Sequence, residues 1–358
     1  MLVNHGYSTD FYLKKHNATY ISLTPQKSKL FKDVKKFKKL FMNKQTTMLI
    51  LILLLTSSFV SGCTQLQEQS KENIPPRHYP TYIKGVWEPI PYPNQYEMIK
   101  NDLNQLKDDG VNTIYIIPIY PEDSAPPEYT EKTIIEEIKK VRQEGFAVFI
   151  CPEALTENLM DLEEFLTGLK QFDLKWAEIA EDYNVEYFAP ANELYMVVRE
   201  KLGYEENSTQ AEQLWRKIDG WHQEIISAIK EVYTGKMCYK PASIGFNDDP
   251  STITLTGYDV FAPNMPVGGF SLDEFKGWLD IFIPLIINVS QTYNVEWMVG
   301  EYWIQADAPL SLCQVGLNKI ENATIPPVGF AFGGWTCKDG PVKNTVFEEV
   351  IKNWWSKK

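Results

Sequence analysis

The sequence predicts an α/β fold, a (β/α)8 TIM barrel, on three observations. Eight short apolar runs recur along the chain, helical patterns separate them, and together they occupy about 280 residues, the usual size of such a barrel. Strands apolar on both faces with helices between them imply a parallel sheet covered on both sides. The rival is an open doubly wound sheet, which wants a glycine-rich phosphate loop after its first strand. "GVWEPIPYP" stands there instead.

The strands are expected at 82–90 (YIKGVWEPI), 111–119 (VNTIYIIPI), 146–154 (FAVFICPEA), 185–193 (VEYFAPANE), 236–243 (KMCYKPAS), 258–266 (YDVFAPNMP), 295–303 (VEWMVGEYW) and 328–336 (VGFAFGGWT). Between them, "YEMIKNDLNQLKDDG" closes on Gly110 and "EKTIIEEIKKVRQEG" on Gly145. "AEQLWRKIDGWHQEIISAIKEVY" is long, and "SLDEFKGWLDIFIPLIINV" opens on Ser271. Each carries apolar residues at helical spacing, and several have start or stop residues in place. The seventh crossover, 304–327, has a poor helical pattern and is expected to be a long loop.

The N-terminal part has a different character. Residues 48–60, "MLILILLLTSSFV", follow Lys44 and lead through Ser61-Gly62 to Cys63. The apolar stretch is shorter than the ~20 residues of a membrane span; its charged front and small residues before the cysteine describe a secretory signal. It resembles the lipobox of prokaryotic lipoproteins, which implies lipidation of Cys63, export, and anchoring to the outer face of the cytoplasmic membrane. An uncleaved anchor is the alternative. Residues 1–41 are basic and patternless, and Met42 heads a signal of ordinary length, so the upstream segment suits a mis-assigned start. The expected organisation is a leader over 1–62, a polar tether over 63–78 and a catalytic barrel over 79–358, with the lipid as the sole tie to a membrane.

Residues 1–62 hold ten of the 35 basic residues and two of the 47 acidic ones, so the remainder carries 25 and 45, a net −20. Such a surface argues against nucleic acid and against an anionic membrane face, and leaves room for a neutral partner such as a carbohydrate. Asn207, Asn288 and Asn322 head glycosylation sequons, a number that chance also supplies. With four histidines and no CxxC, no metal site is expected, nor any cofactor. Cys151 and Cys238 sit in apolar runs as small hydrophobes. Cys313 and Cys337 lie in polar segments, where a disulfide between them is one expectation outside the cell. Nothing in the sequence fixes an oligomeric state.

In a barrel of this kind the carboxyl ends of the strands form the active site. Here they hold Trp87-Glu88, Tyr120, Glu153, Asn192-Glu193, Asn247-Asp248-Asp249, Asn264, Glu301-Tyr302-Trp303 and Trp335. Aromatic faces stack on a pyranose while amides and carboxylates bind its hydroxyls, so this mixture suits a sugar. Glu193 ends the fourth strand and Glu301 the seventh, across the mouth from one another. Two carboxylates so placed can flank one glycosidic bond, and their separation decides between retention and inversion.

At these residues the chain resembles glycoside hydrolase clan A, the retaining (β/α)8 glycosidases, with the mannanase-like family 113 nearest. "APANE" matches the Asn-Glu that ends strand four, "WMVGEYW" the nucleophile strand, and "FGGWT" the strand-eight tryptophan under the reacting sugar. The resemblance covers about residues 79–358 and implies a hydrolase of β-glycosidic bonds in an oligo- or polysaccharide. It implies Glu301 as nucleophile, Glu193 as acid/base, Asn192 on the sugar 2-hydroxyl, and Trp335 as a sugar platform. A core tryptophan capping the barrel is the alternative for Trp335, and Trp87 and Trp303 either bind sugar or fill the interior. Glu88 and Glu153 are substrate ligands or helix-start carboxylates, the latter favoured for Glu153. At Asn264 the chain departs from the clan, which often has a tyrosine there on the nucleophile; the alternatives are that Tyr302 or Tyr120 substitutes, or that the nucleophile is tuned differently, which leaves retention more open than the pair. The chief rival function is a non-catalytic surface lipoprotein that captures carbohydrate.

Overall fold

Eight parallel strands close on themselves. In the computed structural model, which describes residues 74–88, 94–157, 159–305, 308–337 and 341–358, they are β1 (Ile83–Trp87), β2 (Thr113–Ile116), β3 (Ala147–Ile150), β4 (Tyr187–Phe188), β5 (Lys236–Tyr239), β6 (Val260–Phe261), β7 (Glu296–Ile304) and β8 (Gly329–Gly333). Each pairs with the next, and β8 returns to β1 with Ile83 opposite Gly329 and Trp87 opposite Gly333. The predicted barrel is therefore the observed one. Three strands resume past a break: Ile119–Tyr120 after β2, Glu153–Ala154 after β3, and Asn264–Val267 after β6. Cys63 and the leader lie outside the described residues.

Alternation along the strands separates two apolar layers. Ile83, Trp87, Tyr115, Ile117, Phe149, Cys151, Tyr187, Cys238, Val260, Ala262 and Met298 fill the barrel interior. Their neighbours in sequence, such as Val86, Ile114, Ile116, Val148, Phe188 and Phe261, pack outward against the helices. These are α1 (Asn94–Asn101), α2 (Leu103–Asp108), α3 (Glu131–Gln143), α4 (Leu162–Asp182), α5 (Leu194–Leu202), α6 (Thr209–Val232), α7 (Leu272–Tyr293), α8 (Leu310–Glu321) and α9 (Val346–Trp355). Thr130, Asp161, Ser208 and Ser271 cap their helices, Ser271 in a reciprocal capping box with Glu274. Gly110 and Gly145, both at φ +86°, follow helix ends in the left-handed region expected of them.

The seventh crossover differs from expectation, since α8 is a regular helix of 12 residues. Its buried stripe of Leu312, Cys313, Gly316, Leu317 and Ile320 has helical spacing. Gly316 interrupts the apolar signal because it lies against the Tyr302 hydroxyl, where a Cβ would sit 2.0 Å away. Cys313 is a free thiol within this apolar layer, so the expected bridge to Cys337 is not formed. Like Cys151 and Cys238, it serves as a small hydrophobe.

The compact unit begins at Ile74, earlier than the barrel start expected at residue 79. The cause is a clamp at the amino ends of β4 and β5. Buried Glu186 takes the Arg142 guanidinium at 2.6 Å, the Val148 amide at 2.9 Å and the His78 amide at 2.8 Å. Arg142 also donates to the carbonyls of Pro75 and Pro76, at 2.8 and 2.9 Å. Arg77 reaches the Val185 carbonyl at 2.7 Å and pairs with Glu181. The last residues of the expected tether are thus held against the face opposite the strands' carboxyl ends.

Candidate active site

Prolines after the strands set the rim of the mouth. A proline donates no hydrogen bond, but its carbonyl still accepts one. Pro118 takes the Glu153 amide at 2.8 Å, Pro152 that of Asn192 at 2.8 Å, Pro241 that of Asn264 at 3.0 Å and Pro263 that of Gly300 at 3.0 Å. The Glu193 amide donates to the Lys240 carbonyl at 3.1 Å. The backbone of each site residue is therefore tied to the strand beside it.

Two local distortions aim the carboxylates. Ala191 and Glu193 both have left-handed backbones, φ +49° and +48°, where a residue with a side chain is strained. The two turns take the chain from β4 into α5, with Glu193 as the residue before the helix. On β7, Val299 pairs with Phe330 and Tyr302 with Phe332, so three steps face two in a β-bulge over Gly300-Glu301. Gly300 is required there, because a Cβ would meet the Ala262 carbonyl oxygen at 2.0 Å. Beyond the bulge Glu301 turns to the mouth, and Tyr302 turns away.

The side chains then form two hydrogen-bonded sets that the backbone ties together. Lys240, at the end of β5 and 1 % exposed, donates to Glu301 Oε2 at 2.9 Å and to Asn192 Oδ1 at 2.7 Å. Asn192 Nδ2 donates to Glu153 Oε2 at 2.9 Å, and Asn264 Nδ2 to Glu193 Oε1 at 2.6 Å. Asn264 is also the β-partner of Glu301, which joins the two halves. Its Oδ1 is buried without a protein partner, an acceptor facing a site rich in acceptors. Beneath, the Trp87 ring lies 5.5 Å from Lys240 Nζ and meets Trp303 edge-on at 5.8 Å.

The electrostatics follow from this crowding. Burial pushes Glu193 up to about 7, the negative charge of Glu301 adds to it, and Lys240 and the Asn264 bond oppose it. Burial likewise raises Glu153 to about 8, against the Asn192 bond. Burial would lower the Lys240 ammonium, but Glu301, Cys151 and Glu193 outweigh it and its pKa is raised. The site thus holds a cation favoured by its carboxylate neighbours and two carboxyls whose acid forms burial favours.

Of the expected site residues, Asn192, Glu193, Asn264, Glu301, Trp87 and Trp303 are brought together. Trp87 is mostly buried and forms the floor, while Trp303 is partly exposed beside it. Trp335 is not with them. The strand ends at Gly333, Gly334 turns the chain at φ +78°, and the fully buried indole donates to Asp102 at 2.9 Å. Neither ring face is open to a sugar, so Trp335 is the core tryptophan and not the platform.

Tyr302 is also fully buried, its hydroxyl on the Cys313 carbonyl of α8 at 2.9 Å. Tyr120 packs against Phe165 and Phe172 of α4. Neither tyrosine replaces the one missing at Asn264; the contact on Glu301 comes from Lys240. Glu153 starts no helix, since α4 opens on Asp161, and its carboxyl belongs to the site. Glu88 is buried under Thr336, accepting from its amide and hydroxyl, and braces the loop after β8. Lys240 was missed from sequence, although it shares the inward parity of Cys238. Among the described residues, no group of three or more His, Cys, Asp or Glu is placed to hold a metal ion.

No protein-family model matches the chain, and no curated protein matches it by sequence. Solved structures share its fold. A GH113 β-1,4-mannanase is 16 % identical with a TM-score of 0.56, covering 79 % of this chain and all of that one. The GH113 β-mannanase of Alicyclobacillus acidocaldarius is 13 % identical, TM-score 0.55, over 78 % and 98 %. The β-glycosidase of Thermosphaera aggregans is 11 % identical, TM-score 0.59, over 78 % and 97 %.

Proposed function

We propose that the chain is a retaining glycoside hydrolase acting on β-linked polysaccharide, with Glu301 as nucleophile and Glu193 as acid/base. The observation that carries this reading is the pair itself. Two carboxyls, at the end of β4 and on β7, sit in neighbouring hydrogen-bonded sets tied by the backbone, and burial raises the pKa of Glu193 to about 7. Glu301 attacks the anomeric carbon as Glu193 protonates the departing oxygen. Once Glu301 is esterified its charge is gone, Glu193 becomes more acidic, and it takes a proton from the incoming water. Asn192 meets the 2-hydroxyl, and Trp303 offers a ring to the sugar face.

The mannanases among the structural neighbours make β-1,4-mannan the first substrate to try, beside β-glucan, chitosan oligomers and aryl β-glycosides. Release of reducing sugar from one of these, and a 2-fluoro sugar trapped on Glu301 in a digest, is the expected result. A protein that binds these glycans and cleaves none would be the capture lipoprotein instead. Because the acid must be protonated, kcat/KM is expected to fall as pH rises through about 7, the value of Glu193. A pH profile flat from 6 to 9 would remove Glu193 from that role.

We also infer export and lipidation at Cys63, supported by the signal-like sequence before it. Labelled fatty acid is expected in the cell-bound protein and not in Cys63→Ser. Equal labelling of both would dismiss the lipobox.

A further inference from the structure

We propose that Lys240 is the positioning residue of the nucleophile, and that it acts chiefly in the second half of the reaction, when Glu301 must leave the sugar. The inference rests on the double-displacement reading above and adds a residue to it. An ammonium has three N–H bonds. Two go to Glu301 Oε2 and Asn192 Oδ1, and the Trp87 ring lies 5.5 Å from the nitrogen. Buried at 1 % exposure, Lys240 gives two of its three N–H bonds to the site's own side chains and has its charge over the Trp87 ring, so its first partner is the carboxylate and not the sugar.

Two consequences follow from the atoms. With Oε2 on the ammonium, Oε1 is the more nucleophilic oxygen and the one we assign to the anomeric carbon, leaving Oε2 as the carbonyl oxygen of the ester. With one lone pair of Oδ1 taken by Lys240 and one N–H by Glu153, Asn192 keeps one N–H that a sugar hydroxyl can accept. In the first step the C1–Oε1 bond forms, the bond to the leaving oxygen breaks, and Glu193 supplies the proton. Glu301 loses its charge there, and with it part of its attraction to Lys240. In the second step water bonds C1 and gives its proton to Glu193. The C1–Oε1 bond breaks, and its electron pair returns to a carboxylate that Lys240 already holds. A fixed cation favours the charge that develops in this step and opposes its loss in the first. A neutral hydroxyl in the same place would do less of both.

The test is stopped-flow hydrolysis of the dinitrophenyl β-glycoside that the wild-type chain cleaves fastest, with Lys240→Gln and Lys240→Arg beside it. Loss of the cation is expected to slow release of Glu301 by about 10²-fold. Lys240→Gln would then give a burst of about one dinitrophenolate per site before a slow steady state, a covalent adduct in the intact mass, and a longer-lived 2-fluoroglycosyl ester. Lys240→Arg should restore part of the rate. A Lys240→Gln variant that hydrolyses with no burst and an unchanged ester lifetime overturns the proposal while leaving the hydrolase intact. A wild type that neither cleaves nor traps any glycoside overturns both. Should Lys240→Gln fail to fold by circular dichroism, Lys240→Arg carries the decision, since a displaced charge must still lengthen the ester lifetime.

Discussion

Glu301→Gln is expected to lower kcat/KM by on the order of 10⁴-fold or more on every substrate, activated or not, because no covalent step survives without the carboxylate. Glu193→Gln should behave differently. Its loss costs about 10²–10⁴-fold where the leaving oxygen needs a proton, and far less on a dinitrophenyl glycoside, whose leaving group departs as an anion. With such a substrate the second step, now without its base, becomes limiting, and added azide should restore turnover as a glycosyl azide. The measurement is kcat/KM for both variants across aryl glycosides of graded leaving-group pKa. If both show the same dependence on the leaving group, the roles of the two residues are wrongly divided. Circular dichroism separates either result from unfolding, which matters for Glu301→Gln because it leaves the buried Lys240 charge without its carboxylate partner.

The second large effect lies at the opposite face. Glu186→Ala is expected to cost about 3–5 kcal/mol, because it strands a guanidinium that is 2 % exposed and removes the acceptor of the Val148 amide. For a barrel of this size that is roughly a 5–10 °C fall in Tm. The paired change Arg142→Met with Glu186→Leu should recover the part due to the stranded guanidinium and not the part due to the Val148 amide, which still lacks its acceptor. Thermal unfolding followed by circular dichroism measures both. A Tm within about 1–2 °C of wild type for Glu186→Ala would mean that the ion pair contributes nothing net. Neither residue lies near Glu193 or Glu301, so kcat should be unchanged wherever the protein is folded.

What the sequence made legible was what periodicity controls. Strands apolar on both faces and capped amphipathic helices gave the barrel, and an apolar strand ending on Asn192-Glu193 drew attention to the mouth. Alternation also carries Cys238 to Lys240 and Ala262 to Asn264, so the lysine was within reach. It went unnoticed because a lone cation at the end of an apolar run has no motif around it. The bulge was not legible. Strict alternation from Met298 would turn Glu301 outward, and placing Glu301, Tyr302 and Trp303 together at the mouth asked three consecutive residues to share one face. One extra residue lets Glu301 and Trp303 do so while Tyr302 leaves. Trp335 failed for a related reason: parity holds only while the strand lasts, and it ends two residues earlier. The clamp on residues 74–78 was invisible because prolines in a polar stretch look like a linker until a buried arginine takes their carbonyls.

That clamp divides labour between the two ends of the barrel. Residues 75–78 are gripped beside the amino ends of β4 and β5, while Glu193, Lys240 and Glu301 gather at the carboxyl ends. A ligand at the mouth meets none of this segment. The two ends are therefore separable by mutation: changes to the clamp act on the foot of the barrel and leave the side chains around Glu193 and Glu301 in place.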